Sequence, residues 1–508
     1  MDVLPPVEPD RQAEPEPRHG LPLTRRQLFS TMLLAVTGAV RATQSASGAT
    51  GPRPNILFIM ADDHAAHAIS AYGSGINKTP NIDRIAGGGM LFQNCFCTNS
   101  ICTPSRAVIM TGQYSQLNGV KTLDDSLDPS KQNIAKLMSA AGYQTAMVGK
   151  WHLAKDPSGF DYWNILPGQG AYHDPVLIEM GTRTKHTGYA TDLITDISLD
   201  FIKKRDPAKP FFLMCHHKAP HRPWQPDAKH AHMYENETIP EPANLFDHYE
   251  NRSRAAGNTK MRVGEDMTKT DLKVDIPADL KGDALRKWAY QLYIKDYLRC
   301  IASVDDNVGR MLDYLDSSGL ASSTIVVYTS DQGFFLGDHG YFDKRFMYEE
   351  SLRMPLLVRY PGKVKAATVN RDMVLNLDFP ETFLDYAGAK VPGDMQGRSL
   401  RTVLEGRTPA NWRKSMYYRY WMHLTEHNVP AHYGVRTHRW KLIYYYGKAL
   451  GTSGSVNQDT EPEWELFDMV ADPHEMRNVY AEPRNEKVVA ELKAELNRLR
   501  REVQDTDS

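Results

Sequence analysis

Four apolar runs of strand length occur along the chain, and each run ends abruptly in charged or polar residues. They are NILFIM from residue 55, QTAMVG from residue 144, FFLMC from residue 211 and TIVVYTS from residue 324. Runs that are apolar along their whole length are typical of strands covered on both faces, as in a parallel sheet. Stretches with helical periodicity separate them, such as TDLITDISLDFIKKR before the third run. This alternation predicts an α/β fold, a doubly wound and mostly parallel sheet covered by helices.

A charged or polar cluster follows each of the four runs. The clusters are Asp62-Asp63-His64, Lys150-Trp151-His152, the segment from His216 to His221, and Asp331-Gln332-Gly333. Sites in such folds form beyond the carboxyl ends of the strands, so we expect the clusters to meet at one edge of the sheet. Each cluster taken alone is explained by a turn or a helix cap. Four of them at strand ends favour a functional site.

Two of these clusters predict a cation site made of oxygen ligands. Asp62, Asp63 and Asp331 offer carboxylates, and Gln332 offers a carbonyl oxygen. Like-charged carboxylates that are held close together must be protonated or bind a cation. Hard oxygen ligands suit Ca²⁺ or Mg²⁺ better than a soft metal. The histidines that follow Asp63 are alternative ligands, but their spacing does not favour a zinc site.

The segment CTPSR, residues 102–106, predicts a reactive position at the start of a helix. Pro104 is acceptable in the first turn, and RAVIMTG continues as a buried helix. Cys102 then lies at or just before the helix N-terminus, where free N–H groups and the helix dipole favour anions. Such a cysteine is expected to have a lowered pKa and to be a nucleophile, with Arg106 turned toward it. A buried structural cysteine is the alternative.

The size and charge of the chain limit the classes of function. Its 508 residues allow a main domain and a smaller companion, and 41% hydrophobic residues indicate a globular protein. A formal net charge of -2 does not indicate binding to nucleic acid or to an anionic membrane. Five cysteines form too sparse and odd a set for a disulfide framework.

Residues 1–50 are predicted to be a disordered N-terminus followed by a signal peptide. Pro, Glu and Arg dominate the first twenty residues, and Arg25-Arg26 then precede the apolar stretch LFSTMLLAVTGAV. This pattern is typical of a twin-arginine export signal. The apolar run is short for a membrane span, so no integral membrane segment is expected in the mature chain. An amphipathic anchor is the alternative. We therefore expect export by the twin-arginine machinery to the periplasm or beyond.

Several longer segments match one family together. C-x-P-S-R followed by a helix that ends in T-G stands here at residues 102–112, and GKWH stands at residues 149–152. NILFIMADD, KAPHRPW and SDQGFFLGDHGYFDKRFMYEESLRMPL match as well. With these motifs the chain resembles the type I sulfatases of the alkaline phosphatase superfamily, from about Pro54 to about Asn478. The resemblance implies an alkaline-phosphatase-like fold and sulfuric ester hydrolase activity.

The resemblance also implies a mechanism. A formylglycine-generating enzyme would convert Cys102 to formylglycine, an aldehyde, before export. One hydroxyl of the aldehyde hydrate, acidified by the cation, attacks the sulfur of a sulfate ester, and the alcohol leaves from the opposite side. Loss of a proton from the second hydroxyl then expels sulfate and re-forms the aldehyde. This is covalent catalysis by a nucleophile that can eject its own adduct.

The family pattern assigns ligands to the cation. By motif position, Asp62, Asp63, Asp331 and Gln332 bind Ca²⁺, with residue 102 nearby. Mg²⁺ is the alternative ion. Many relatives carry Asn in place of Gln332, but the amide oxygen is retained, so the assignment stands.

The same pattern assigns roles to the basic residues. Arg106 and Lys150 hold the aldehyde hydrate and the sulfate oxygens, and Lys344 reaches the sulfate from the other side. His221 protonates the leaving oxygen, and His152 takes the proton from the second hydroxyl. Positioning and electrostatics are expected to dominate, because sulfuryl transfer moves charge rather than creating it.

The chain changes character at about residue 388. WRKSMYYRYW and HYGVRTHRWKLIYYYG alternate aromatic, basic and apolar residues, as antiparallel strands do, and NEKVVAELKAELNRLRREV predicts a final helix. We therefore expect a catalytic domain at residues 51–387. A C-terminal subdomain at residues 388–508, with a short antiparallel sheet and a helix, would flank the mouth of the pocket.

The substrate is less sharply defined by the sequence. RFMYEESLRMPLL resembles carbohydrate sulfatases more than simple arylsulfatases, which implies a sulfated saccharide. Candidates for substrate contacts are Lys218, His432, Tyr433 and Arg436. The alternatives are a solvated loop lysine for Lys218 and plain strand packing for the other three.

Two other classes of protein remain as alternatives. A phosphate monoester or diester hydrolase of the same superfamily would share the sheet and the acidic cluster. It would want two transition metals, more histidine ligands and a Thr or Ser nucleophile, so CTPSR speaks against it. A non-catalytic glycan-binding relative would need a broken signature, and no expected residue is missing.

Overall fold

The computed structural model of the chain describes residues 53–506. The predicted disordered segment and export signal at residues 1–50 lie outside the described residues. Among residues 53–506, no helix combines the length and the apolar character that crossing a bilayer requires.

The strands of residues 53–506 are numbered in chain order. They are β1 (Asn55–Ala61), β2 (Met90–Phe92), β3 (Cys95–Phe96), β4 (Gln144–Lys150), β5 (Tyr162–Leu166), β6 (Val176–Glu179), β7 (Thr182–Lys185), β8 (Phe211–His217), β9 (Thr324–Ser330), β10 (Phe335–Leu336), β11 (Phe342–Asp343), β12 (Leu356–Arg359), β13 (Thr368–Asn370), β14 (Val374–Leu375), β15 (Ser415–Tyr420), β16 (His432–Thr437), β17 (Trp440–Tyr445) and β18 (Glu463–Asp468).

The α-helices of the same residues are also numbered in chain order. They are α1 (Pro80–Gly87), α2 (Cys102–Thr111), α3 (Ser115–Asn118), α4 (Ile134–Ala140), α5 (Ala190–Lys204), α6 (Arg254–Asn258), α7 (Lys269–Leu272), α8 (Gly282–Ser317), α9 (Glu349–Leu352), α10 (Phe379–Tyr386), α11 (Arg401–Leu404) and α12 (Glu486–Glu502). Helix α8 has 36 residues, which at 1.5 Å per residue makes it about 54 Å long.

Ten strands form the main sheet, in the order β13-β2-β12-β9-β1-β8-β4-β5-β6-β7. At its centre β9, β1, β8 and β4 are neighbours and run parallel. These four strands are the four apolar runs, so the prediction of a parallel α/β core is confirmed. Toward the edges, β12, β6 and β7 run antiparallel to their neighbours, which makes the whole sheet mixed.

The main sheet has a hydrophobic core on each face. Successive side chains of a strand point to opposite faces, and β1 shows this alternation. Ile56, Phe58 and Met60 join the core that contains α2, α4 and α10, whereas Leu57 and Ile59 join the core of α1, α5 and α8. Because both faces are covered, β1 has no polar face to expose. This explains why the central strands read as continuous apolar runs.

A second sheet lies in the C-terminal part of the chain. Strands β15, β16, β17 and β18 form it in that order, and every pair is antiparallel. Helix α12 packs against β15, β16 and β17. The predicted short antiparallel sheet with a helix is therefore present. The domain boundary at residue 388 stays a prediction.

Candidate active site

The carboxyl ends of the central strands bring the predicted clusters together. Asp62 and Asp63 follow β1, Asp331 and Gln332 follow β9, and Lys150 is the last residue of β4. Because these strands are parallel neighbours, their ends lie at one edge of the sheet. The backbone N–H of Asp63 donates to Asp331 Oδ1 at 3.2 Å, which ties the loops after β1 and β9 directly to each other.

Three carboxylates share a small volume at this edge. Asp62, Asp63 and Asp331 each place an oxygen within 4.8 Å of the others, and all three are fully buried. Burial and the neighbouring carboxylates raise the pKa of Asp63 to about 6 and the pKa of Asp331 to about 7. Burial also acts on Asp62, but Lys150 and other nearby cations outweigh it and hold the pKa of Asp62 well below its usual range.

The donor set of this cluster fits a hard cation. Asp62 Oδ1 and Gln332 Oε1 are buried and accept no hydrogen bond. Asp62 Oδ1 has only an ion-pair contact, with Arg106 Nη2 at 3.4 Å. A buried oxygen without a hydrogen bond is unfavourable unless something else satisfies it, and a cation would satisfy both oxygens. The carboxylates of Asp63 and Asp331 would also gain from a cation, because it would offset the charge that burial makes unfavourable. Oxygen ligands of this kind are the ones that Ca²⁺ and Mg²⁺ prefer.

Three basic side chains interleave with the carboxylates. Arg106 Nε donates to Asp331 Oδ2 at 3.0 Å, and Arg106 Nη1 donates to the carbonyl of Lys150 at 2.6 Å. Lys150 Nζ pairs with Asp62, and Lys344 Nζ donates to Asp63 Oδ2 at 2.7 Å. The three cations come from α2, β4 and the loop after β11. A tetrahedral anion placed among them could be held from several directions.

Cys102 is the first residue of α2 and is 1% exposed. Its Sγ lies 3.9 Å from Gln332 Nε2, and it can share a ligand cluster with Asp62 and His221. The predicted position at a helix N-terminus is therefore confirmed. The expected lowering of its pKa is wrong, because burial raises the pKa of the Cys102 thiol to about 12. Desolvation of the thiolate outweighs the helix dipole and the nearby Lys344.

Two histidines lie at the edge of the cluster. His221 Nε2 is 3.7 Å from Asp63 Oδ2, and Tyr172 donates from its hydroxyl to the His221 carbonyl at 2.6 Å. His152 Nδ1 is 3.4 Å from the side-chain oxygen Oγ1 of Thr103, the residue that follows Cys102. Burial and the charge of Lys150 lower the pKa of both histidines, to about 2 for His152. Both rings are therefore neutral in the substrate-free protein, with one nitrogen that donates a hydrogen bond and one that can accept a hydrogen bond or a proton.

The backbone around the site adopts unusual conformations. Asp63, His152, Asp343 and Arg345 have φ values of 66°, 56°, 77° and 92°, in the left-handed region that favours glycine. Such residues cost on the order of 1–3 kcal/mol each and cluster at functional sites. Gly149, in the GKWH motif, has φ of 101°, and a Cβ there would lie 2.0 Å from a carbonyl oxygen of β8. Only glycine allows β4 and β8 to approach so closely next to the site.

Some residues at this edge of the sheet were given no role in the sequence analysis. Gln169 accepts a hydrogen bond from Lys150, although it lies in a loop that no motif marks. Asp343 and Arg345 flank Lys344, and His427 Nε2 lies 3.1 Å from Asp343 Oδ2. The Asp-Lys-Arg triplet was visible as a motif, but only its lysine was assigned a role. His427 comes from the C-terminal part, which no local sequence pattern connects to this triplet.

Lys218 lies in the same loop as His221 and is buried. Its Nζ is 4.8 Å from the ring centroid of Tyr172, whose hydroxyl holds the His221 carbonyl. Burial and the charge of Lys150 lower the pKa of Lys218 to about 8. A fully solvated loop lysine is therefore excluded. Its contact with substrate stays a prediction.

The structure corrects the interpretation of two predicted sugar contacts. His432 is 0% exposed, packs against Tyr418 and Tyr445, and its Nδ1 donates to a backbone carbonyl at 2.8 Å. Arg436 is 7% exposed, and its Nε lies 3.1 Å from Glu349 Oε1. Both side chains are used inside the protein, as the strand-packing alternative describes.

Comparison with known proteins agrees with this geometry. A family model described as Sulfatase matches residues 54–389. The chain belongs to the sulfatase family. A second model, described as N-sulphoglucosamine sulphohydrolase, C-terminal, matches residues 337–502 of this sulfatase. Together the matches cover the main sheet and the C-terminal sheet. The protein is thus a sulfuric ester hydrolase with the alkaline-phosphatase-like fold.

Several characterised proteins resemble this sulfatase over most of its length. An N-acetylglucosamine-6-O-sulfatase of Bacteroides thetaiotaomicron is 44% identical, over 90% of this chain and 88% of the relative. The N-acetylglucosamine-6-sulfatase of Homo sapiens is 30% identical, over 82% of this chain and 75% of the relative. A solved structure, described as a complex with its substrate D-glucosamine-2-N,6-O-disulfate, superposes with a TM-score of 0.85 at 44% identity. It covers 90% of this chain and 99% of that chain.

The wider fold is shared with enzymes of other substrates. A phosphonate monoester hydrolase of Silicibacter pomeroyi superposes with a TM-score of 0.70 at 22% identity, over 90% of this chain and 96% of that chain. This likeness shows the fold alone. Sulfatases generally use a metal ion, and Asp62, Asp63 and Asp331 form an acidic cluster that could hold one.

Proposed function

We propose that this sulfatase removes the 6-O-sulfate of N-acetylglucosamine, or of a closely related glucosamine, in sulfated glycans. The main support is the 44% identity over 90% of the chain to an N-acetylglucosamine-6-O-sulfatase. The solved structure at the same identity is described as a complex with a glucosamine that carries a 6-O-sulfate. The sequence alone favoured a sulfated saccharide but no particular sugar.

The nucleophile proposed here is formylglycine, made from Cys102 by a formylglycine-generating enzyme. The position of Cys102 supports conversion, because it is the first residue of α2 and lies beside the acidic cluster that would hold the cation. The aldehyde hydrate would present two hydroxyls at the same place. The oxygen of one hydroxyl, after losing its proton to solvent, forms the new bond to sulfur while the bond from sulfur to the sugar oxygen breaks. The other hydroxyl then gives its proton to His152 and becomes the aldehyde oxygen, the bond from that carbon to the sulfate oxygen breaks, and sulfate leaves. Water re-hydrates the aldehyde.

Ca²⁺ is the proposed ion, with Mg²⁺ as the alternative. Asp62, Asp63, Asp331 and Gln332 would hold it, because they form the buried oxygen set described above. When bound, such an ion lowers the pKa of a coordinated hydroxyl and offsets negative charge on the sulfate. An all-oxygen set with three carboxylates suits both ions, and the looser coordination of Ca²⁺ tolerates the mixed amide and carboxylate geometry better.

The remaining steps belong to side chains of the protein. Arg106, Lys150 and Lys344 would hold the sulfate oxygens in line with the attacking hydroxyl, and their ion pairs with the acidic cluster keep them in place. His221 would take up a proton when the sulfate anion is bound, and would then give that proton to the sugar oxygen as it leaves. His152, next to the start of α2, would take the proton of the second hydroxyl. Proton transfer of this kind contributes about 100-fold or more at each histidine.

The location of the protein is also proposed. The twin-arginine pattern at residues 25–26 supports export to the periplasm or the exterior, after folding and after modification of Cys102. The predicted division at residue 388 would place a C-terminal subdomain beside the pocket. His427, which contacts Asp343 near Lys344, supports a contribution from that part.

The experiment measures sulfate release from N-acetylglucosamine-6-sulfate and from N-acetylgalactosamine-6-sulfate, which differ only at C4. We expect release from the first to be faster. Preferred release from the second, or from a sulfated sugar that is not a glucosamine, would overturn the sugar assignment and leave the sulfatase assignment intact. Mass spectrometry of the peptide that carries residue 102, from protein made in its own host, tests the nucleophile. An unmodified thiol in fully active protein would exclude formylglycine.

The cation is tested with Asp331→Asn, which keeps the shape of the side chain but removes a charge. Calorimetry with Ca²⁺ and with Mg²⁺ should show tight binding to the wild type and weak binding to this variant. Asp316→Asn, on the exposed end of α8, is the matched control and should bind like the wild type. Equal affinities in the three proteins would contradict the assigned ligands.

A further inference from the structure

The hydroxyl of Tyr418 lies between two segments of the active site that come from distant parts of the chain. Tyr418 is on β15 in the C-terminal sheet and is fully buried. Its hydroxyl donates to the carbonyl oxygen of Arg345 at 2.6 Å and accepts from the backbone N–H of Ser100 at 3.2 Å. One oxygen atom thus connects the residue after Lys344 with the residue two positions before Cys102.

The backbone of β15 is fixed against the same segment. The N–H of Arg419, the residue after Tyr418, donates to the carbonyl oxygen of Thr98 at 3.1 Å. On its other side, Ser100 donates from its hydroxyl to the carbonyl oxygen of Ser351 at 2.7 Å. The segment before α2 is therefore held from two sides. The Tyr418 hydroxyl, however, is the contact that also reaches the loop of Lys344.

The two connected segments carry groups that must act on one sulfate. Residue 102 supplies the nucleophile, and Lys344 contacts Asp63 of the acidic cluster. A misplacement of about 1 Å between reacting groups can lower a rate by about 100-fold. Both segments are loops or helix starts rather than strands, so no ladder of sheet hydrogen bonds fixes their separation, and the hydrogen bonds of Tyr418 connect them directly.

We propose that Tyr418 is a positioning residue, whose hydroxyl sets the separation between residue 102 and Lys344 around the sulfate. The inference rests on the roles given to those two residues in the proposed function. Tyr418 itself is not assigned a contact with substrate. It acts through the backbone atoms of Ser100 and Arg345, both of which are buried and would have to find other partners without it.

The ring and the hydroxyl of Tyr418 have separable roles. The ring stacks on His432 with 5.6 Å between centroids, and phenylalanine would keep that contact. Burial raises the pKa of Tyr418 well above its ordinary value, so the hydroxyl keeps its proton and can donate throughout the working pH range. Loss of the hydroxyl should therefore lower kcat by the same factor at every pH, without changing the shape of the pH profile.

Tyr418→Phe is the test variant, and Tyr417→Phe is its matched control. Tyr417 is the preceding residue of β15, is equally buried, and donates from its hydroxyl to Asp505 near the end of the described chain. Each variant loses one buried phenol hydroxyl from the same strand. Because phenylalanine keeps the ring, both are expected to fold, which circular dichroism and thermal unfolding of the mature, cation-loaded proteins will show.

Hydrogen–deuterium exchange is measured on peptides covering residues 97–103 and 342–348. In Tyr418→Phe both peptides should exchange faster than in wild type, whereas in Tyr417→Phe neither should change. Similar exchange in the two variants would overturn the proposal. This measurement needs no substrate, so it tests the connection between the two segments even if the wild-type protein releases no sulfate from N-acetylglucosamine-6-sulfate and the proposed function fails.

Kinetics are measured with the sulfate ester that the wild type cleaves fastest. We expect kcat of Tyr418→Phe to fall by about 10- to 100-fold with a smaller change in KM, and kcat of Tyr417→Phe to stay within about 2-fold. An unchanged kcat in Tyr418→Phe, even with faster exchange, would show that the connection is structural only. A fall in kcat that is equal in both variants would attribute the effect to general loosening of β15 and would also overturn the proposal.

Discussion

Charged residues are buried in two regions of the protein, at the edge of the main sheet and within the C-terminal sheet. At the edge, Asp62 and Asp331 follow their strands and point into a shared volume. In the C-terminal sheet, Arg436 and Lys441 lie inside β16 and β17, where Lys441 Nζ is 2.7 Å from Glu475 Oε1. A side chain beyond a strand end can converge with others on a ligand, whereas a buried one within a strand is committed to its neighbours. Position at or beyond a strand end therefore distinguishes the charged side chains that meet at the candidate active site from those that pair within the C-terminal sheet.

Removal of the nucleophile should give the largest effect. Cys102→Ala is expected to lower kcat by roughly 10⁴-fold or more, since removing the nucleophile of a covalent mechanism leaves only binding and electrostatic effects. Sulfate release measures this, while the melting temperature of the variant should remain close to wild type and the Ca²⁺ affinity should fall only modestly, because the four oxygen ligands of the other residues are retained. Substantial sulfate release by the variant would remove residue 102 from the mechanism.

The next largest effect should distinguish two histidines, His221 at the edge of the main sheet and His432 in the C-terminal sheet, by the kcat of their variants. His221→Ala is expected to lower kcat by about 100-fold, because the leaving sugar oxygen loses its proton donor. In the same variant, kcat for an aryl sulfate should fall much less than kcat for a sugar sulfate, because the leaving group of an aryl sulfate needs no proton. His432→Phe replaces one buried ring by another and should keep kcat near the wild-type value. Comparable losses in the two variants would contradict the distinction between the regions.

The affinity for the cation should depend on pH. Burial raises the pKa of Asp331 to about 7 and that of Asp63 to about 6 in the cation-free protein, so protons compete with the ion below those values. Affinity should therefore rise by about 10-fold or more between pH 5 and pH 8, with release of protons on binding. Titration calorimetry in buffers of different ionisation enthalpy measures both. An affinity that is constant with pH would mean that these carboxylates are already ionised.

Disruption of the C-terminal ion pairs should affect stability and leave catalysis nearly unchanged. Arg436→Met leaves Glu349 without one of its partners, and breaking a buried pair from one side costs about 3–5 kcal/mol, less here because Lys441 Nζ also lies 3.0 Å from Glu349 Oε1. Denaturant unfolding should show the loss. The kcat of the folded variant should stay within about 2-fold, and a larger fall would give Arg436 a part in the active site.

The centre of the main sheet could be predicted because its four strands β9, β1, β8 and β4 are largely apolar along their length. β1 and β9 are covered on both faces, so their runs stand out, and the polar residues after them mark the strand ends. Strands β2 and β12 are short and were not predicted, since three apolar residues do not distinguish a strand from a helix segment. Pairing of β1 with β9, almost 270 residues away, follows from no local pattern.

The sequence predicted the residues that lie in family motifs and meet at the edge of the main sheet. It was misinterpreted at β16, where the only signal was the alternation of polar and apolar residues. The sequence alternates in β16, but both faces of that strand are covered: His432 faces a cluster of aromatic rings, and Tyr433 on the other face contacts Arg500 of α12. Alternation therefore could not reveal a face for sugar. The pKa of Cys102 was misjudged because the depth of a helix start cannot be read from its sequence.

The positions of the strands in the sequence also determine when each part of the active site is synthesised. Cys102 leaves the ribosome 229 residues before Asp331 (331 minus 102), whose strand β9 completes the parallel centre of the sheet beside β1. At about 5–20 residues per second, that interval lasts roughly 10–45 s. Until β9 arrives, α2 cannot be enclosed as it is in the finished protein, where every one of its residues is buried. A maturing enzyme would have at least those seconds to reach residue 102 before the helix is enclosed.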